Sequence, residues 1–70
     1  MTITQHRLSL RWSISELARR SGLTYQTVSR IEKGEPAFDY TVAAIADALS
    51  QALGRTITID DLERVKIVGR

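Results

Sequence analysis

"ISELARRSGLTYQTVSRIEKG", residues 14–34, is the stretch whose reading decides the fold. Ser13 precedes it, and Ser13-Ile14-Ser15-Glu16 forms an S-x-x-E capping box that opens a helix running to about Ser21. Gly22 follows, where a left-handed residue ends that helix. Thr24 can cap the next helix, which Gly34 closes. Leu17 and Ala18 on the first of these helices and Val28 and Ile31 on the second face inward; the small Ala18 allows close approach and Gly22 takes the sharp turn. The second helix is otherwise poorly apolar. It offers hydroxyls, an amide, an arginine and a lysine, groups suited to reading a ligand rather than to filling a core.

Outward from this pair, helix signals recur. The first helix is expected over Thr2 to Leu10. Pro36 discourages continuation beyond Gly34, and Asp39 is expected to cap a longer helix whose Val42, Ile45, Ala46, Leu49 and Leu53 fall on one stripe, stopped by Gly54. Thr58-Ile59-Asp60-Asp61 begins a last short helix around Leu62, with acids at its favourable N-terminal end. The tail "VKIVGR", residues 65–70, reads either as a short strand or as an unstructured end. The expectation is a single all-α domain over residues 1–70, built of five short helices.

The chain's 70 residues lie near the lower limit for a core without disulfides or metal, and it has no cysteine. Its apolar runs are only a few residues long and its N-terminus lacks a signal-peptide core, so a soluble cytoplasmic protein with no membrane partner is expected. Charge is distributed unevenly. Residues 1–34 carry six basic groups (Arg7, Arg11, Arg19, Arg20, Arg30, Lys33) against Glu16 and Glu32, a balance of +4; residues 35–70 carry four against six, a balance of −2. That asymmetry favours a polyanionic partner, although a charge excess of this size also suits a plain solvated face. His6 is the sole histidine and has no partner motif, the serines lack a histidine–acid setting, and there is no Gly-rich phosphate loop. No enzyme, cofactor or metal site is expected.

The residue order resembles the helix-turn-helix of the lambda-repressor-like family, also called Cro or Xre type. "ISELARRSGLTYQTVSRIEKG" matches that family's core motif, and "PAFDYTVAAIADAL" and "TIDDL" match its fourth and fifth helices. The resemblance implies a five-helix domain with the helix-turn-helix at about residues 14–33. It also implies sequence-specific binding of double-stranded DNA by a transcriptional regulator, more often a repressor. Antitoxins and adaptor proteins share the fold, and in those a protein partner such as a toxin is the chief target.

The residues of the third helix agree with this independently. At roughly 100° per residue, Val28 and Ile31 point one way while Tyr25, Gln26, Ser29, Arg30 and Lys33 spread over the other side. Such a helix can lie in the major groove, where Gln suits adenine and Arg suits guanine because each presents two groups at matching spacing. By resemblance Tyr25, Gln26, Ser29 and Arg30 hold base-reading positions, and Thr24 and Lys33 hold phosphate-contacting ones. Arg11, Ser13 and Ile14 are also placed on phosphate. Ile14 stands where the family often has Gln, so only its backbone N–H can serve there, and its side chain packs near Leu17 and Ala18 or rests against sugar or a thymine methyl. Arg11 stands where many relatives have glycine, and reads equally as a phosphate contact or an ordinary exposed arginine; Arg19 and Arg20 read as solvated. Trp12 reads as core filling between the first two helices, or as an exposed docking residue.

Two further expectations concern assembly. Ile3, Arg7 and Leu10 form one stripe, which sets a charge in an apolar face, and Glu32 lies near the direction of Val28. Opposite charges on inward faces should pair, and the resembled family carries a similar arginine–glutamate pair. One small module reads few base pairs, so a homodimer on a pseudo-palindromic operator is expected. Its surface would lie around Leu62 and Val65, extended by Ile67 and Val68; the competing reading is that Val65 and Ile67 only close the core.

Overall fold

A computed structural model describes residues 1–69. Among them the chain forms four α-helices, α1 (Ile3–Ser9), α2 (Ile14–Ser21), α3 (Tyr25–Glu32) and α4 (Asp39–Leu53), followed by a single 3-10 turn, Ile59–Asp61. The all-helical architecture is the one the sequence implies, with the fifth helix shortened to that turn. Thr58 closes a capping box with Asp61, but Leu62 is already extended (φ −96°, ψ 113°), so no second turn follows. No helix among the described residues is long and apolar enough to cross a membrane.

The helix starts are set locally. Thr2 and Gln5 form a complete capping box on α1, with Gln5 N–H donating to Thr2 Oγ1 at 3.0 Å and Thr2 N–H donating to Gln5 Oε1 at 2.9 Å. On α2 only half of the expected box forms: Glu16 N–H donates to Ser13 Oγ at 3.1 Å, while the Glu16 carboxylate turns to Arg19 and Arg20. Asp39 is not the cap of α4 but its first residue. The cap is Phe38, whose carbonyl accepts from Thr41 and Val42 N–H, both at 3.1 Å. The helix starts one residue early because Ala37 is fixed from outside: its N–H donates to Lys66 O at 2.9 Å and its carbonyl accepts from Val68 N–H at 2.8 Å.

That contact settles the tail as far as residue 69. It is neither free nor a strand of any length, but is stitched down by two isolated parallel bridges, Thr2 to Glu63 and Ala37 to Ile67. Arg70 lies outside the described residues. Leu17, Val28, Val42, Ile45 and Leu49 are the largest fully buried side chains, so the core sits where α2, α3 and α4 meet, with Ile3, Ile31, Ile57 and Leu62 closing it. Val65 and Ile67 are half-buried against its edge. Ser50 holds the chain after α4 in place, donating to Ala46 O at 2.7 Å and accepting from Ile57 N–H at 2.8 Å.

His6 is the one buried polar or charged residue among those described, at 3% exposure. Burial, then the N-terminal ammonium and Arg55, hold its imidazole below the ordinary value of 6.5, against a weaker opposing pull from Asp61. The unfolded imidazole therefore takes up its proton first as pH falls. Stability should be level above about pH 7 and decline as pH drops through 6.5 toward the folded value. Asp61 and Glu63 have carboxyls held below 3.8 and 4.5, so their contribution is lost only at lower pH. Urea unfolding of the wild type should show a falling midpoint between about pH 6.5 and 5, and His6→Leu should flatten that interval. An unchanged slope in His6→Leu would remove His6 as the cause.

Candidate nucleic-acid interface

The α2–α3 unit is rigid for reasons visible in its turn. Gly22 adopts φ +73°, ψ 22°, a conformation costly to residues with a Cβ, and Leu23 N–H then donates to Ala18 O at 2.9 Å. Thr24 is extended, and its Oγ1 accepts from Thr27 N–H at 3.2 Å to cap α3. Val28 and Ile31 are buried against α2 and α4. The opposite side of α3 carries Tyr25, which is 55% exposed, with Gln26, Arg30 and Lys33 exposed and Ser29 half-buried. Helical spacing sets Tyr25, Gln26, Ser29, Arg30 and Lys33 on one surface.

The cations of residues 1–34 divide into two groups. Arg7 is taken by Glu32, while Arg19 and Arg20 both face Glu16, with Arg20 also lying over the Trp12 ring at 4.5 Å. Arg11, Arg30 and Lys33 make no ion pair among the described residues and are exposed. The unneutralised charge thus lies on α3 and on the loop before α2.

That loop has an unusual backbone. Arg11 sits at φ +59°, in the left-handed region, a conformation costing about 1–2 kcal/mol in a non-glycine residue. Glycine is the easy residue here, which accounts for its use at this position in relatives. Ser13 is exposed at the N-terminus of α2, and Ile14 packs its side chain on the edge of the core. Trp12 combines its two readings: it is half-buried against the core, and its outer side is covered by the Arg20 guanidinium rather than left free.

Arg7 and Glu32 join α1 to the end of α3. Arg7 Nε donates to Glu32 Oε2 and Nη2 to Oε1, both at 3.0 Å, with the side chains only 11% and 8% exposed. The third guanidinium nitrogen, Nη1, donates to Trp12 O at 2.9 Å, and Thr4 Oγ1 donates to Glu32 Oε1 at 2.7 Å. Thr4 was invisible to a reading of charge and apolar stripes, although its i, i+3 spacing from Arg7 is the signal that places it beside the pair. Also missed was a groove of about 250 Å³ beside α3, lined by Thr27, Arg30, Pro36, Phe38 and Thr41 among others. Phe38 stacks on Tyr40 at its rim, with centroids 5.2 Å apart.

Compared with known proteins, residues 3–62 match the family model described as "Helix-turn-helix". No curated protein and no solved structure matches the chain.

The Arg7–Glu32 geometry generates a stability prediction. Arg7→Ala leaves the Glu32 carboxylate buried with Thr4 as its remaining donor, and should destabilise the fold by roughly 3 kcal/mol in chemical denaturation. Replacing both residues with apolar ones of similar volume should cost much less, because no charge is then stranded. Equal losses in the single and double variants would show that packing, not the stranded charge, dominates.

Proposed function

The chain belongs to the helix-turn-helix family of lambda-repressor-like (Cro-type) DNA-binding regulators, whose model covers residues 3–62, and on that premise we propose that it is a sequence-specific repressor that reads double-stranded DNA with α3. One observation carries this reading: the cations left without a partner, Arg11, Arg30 and Lys33, lie with the exposed Gln26 amide on α3 and the loop before α2, while the neighbouring arginines are neutralised. In the proposed complex Gln26 and Arg30 pair with base edges, assisted by Tyr25 and Ser29. Arg11, Thr24, Lys33, Ser13 and the Ile14 N–H face phosphates. Occupying an operator excludes other proteins from it, so repression needs no second activity. Two copies on a pseudo-palindromic operator would supply the affinity that one small module lacks. The site of action is the cytoplasm, where DNA of this kind of regulator lies.

The test separates reading from holding. Gln26→Ala should lose about 1–3 kcal/mol on the selected operator and relax preference at particular base pairs, with little change on random duplex. Lys33→Ala should weaken both duplexes alike and lower the salt slope by about one contact. Arg30→Ala should show both effects, since an arginine can span base and phosphate. Titrating the three variants at several salt concentrations checks the assignment. Equal losses for Gln26→Ala and Lys33→Ala on both duplexes would overturn the roles; no loss for either would transfer the face to a protein partner, as in a toxin-binding antitoxin.

A further inference from the structure

Away from α3, the 3-10 turn and the tail enclose an open groove of about 510 Å³. Its apolar lining is Pro36, Ile59, Leu62, Val65 and Ile67, and its two charged residues are Asp60 and Lys66. Both charged residues are exposed, and neither forms an ion pair among the described residues. Val68, just beyond the lining, is 49% exposed. The groove is held in shape by the main chain: Ala37 bonds to Lys66 and Val68, and Leu62 N–H donates to Ile59 O at 3.0 Å. An apolar floor carrying one free acid and one free base is a particular combination. It is complementary to itself.

We propose that this groove is the contact surface for a second copy of the chain, paired about a two-fold axis with Asp60 of each copy against Lys66 of the other. The proposal deepens the reading of a dimeric regulator and rests on it. In an isologous contact every pairing occurs twice, so one acid and one base on the same patch give two ion pairs and no like-charge contact. The half-buried Ile59, Val65 and Ile67 would then be covered by the same residues of the partner, giving the apolar centre and charged rim expected of a protein interface. A surface built for a different protein has no need of both signs in reciprocal positions. The groove uses none of the α3 side chains assigned to DNA, so pairing leaves the reading face open.

Charge reversal tests the arrangement directly, because Asp60 and Lys66 are exposed and their replacement leaves the core intact. Sedimentation without DNA measures the dimer alone. Asp60→Lys places two lysines against Lys66, and Lys66→Asp places two aspartates against Asp60. Each single variant should weaken self-association by about tenfold or more, and less at high salt. The double variant, Asp60→Lys with Lys66→Asp, should recover wild-type association. An equimolar mixture of the two single variants should form a heterodimer, since both reciprocal pairs are then attractive. A monomeric wild type, singles that associate normally, or a mixture that fails to pair would each overturn the proposal. Circular dichroism of each variant confirms the fold. Binding of random duplex, measured in parallel on the singles, keeps DNA recognition separate: if it persists while pairing fails, only the dimer surface is wrong.

Discussion

A carboxylate buried at the C-terminal end of α3 would be among the most costly features of so small a core were it not fully engaged. Glu32 accepts from Arg7 through both oxygens and from Thr4 through one, and Arg7 spends its remaining nitrogen on the Trp12 carbonyl. Four segments thereby converge on one pair: α1, the loop before α2, the end of α3, and through Trp12 the guanidinium of Arg20. Apolar side chains of the same volume could supply as much stability. They would not supply direction. A bidentate guanidinium–carboxylate contact accepts one geometry, and so sets α3 against α1 at one angle, which is what a helix that reads a groove requires.

The same logic governs the surface charges. Glu16 could have completed its capping box, yet its carboxylate faces Arg19 and Arg20 instead. With Glu32 occupied by Arg7, both acids of residues 1–34 are used on the flank of the helix-turn-helix, and none lies on the outward side of α3. Potential at that surface comes from Arg11, Arg30 and Lys33 undiminished by nearby carboxylates. Arg11 adds to it from a left-handed backbone that glycine would occupy without strain. The chain keeps a charge there at a local conformational cost, a pattern expected where a residue acts outside the fold.

Much of this was legible because its causes are local. Gly22 at a left-handed φ and the caps at Ser13 and Thr24 follow from residues within four positions of one another. The inward stripes of α3 and α4 follow from helical period alone. What escaped depends on distant partners. Asp39 has the chemistry of a cap, but Ala37 is tied to Lys66 and Val68, and that tie moves the helix start to Phe38. The acids after Thr58 promise a helix, yet Leu62 turns into the core and the chain straightens to meet Met1 and Ala37. Thr4 and the Phe38–Tyr40 stack carry no pattern that composition or periodicity registers.

The tie at Ala37 has a consequence for recognition as well as for folding. Pro36 lines both the groove beside α3 and the groove at the tail, so the two surfaces share one short connection. Proline fixes its own φ, and the next residue is bonded on both sides to the tail, so this connection has little freedom to flex. Two copies meeting at the tail groove would therefore hold their α3 helices at a set distance rather than on loose arms. The protomer measures 29 × 23 × 18 Å, comparable with the roughly 34 Å that separates successive major-groove faces on one side of a duplex. Under that arrangement half-site spacing is dictated by the α3–α4 connection, and discrimination between operators rests on backbone geometry as much as on the side chains that touch bases.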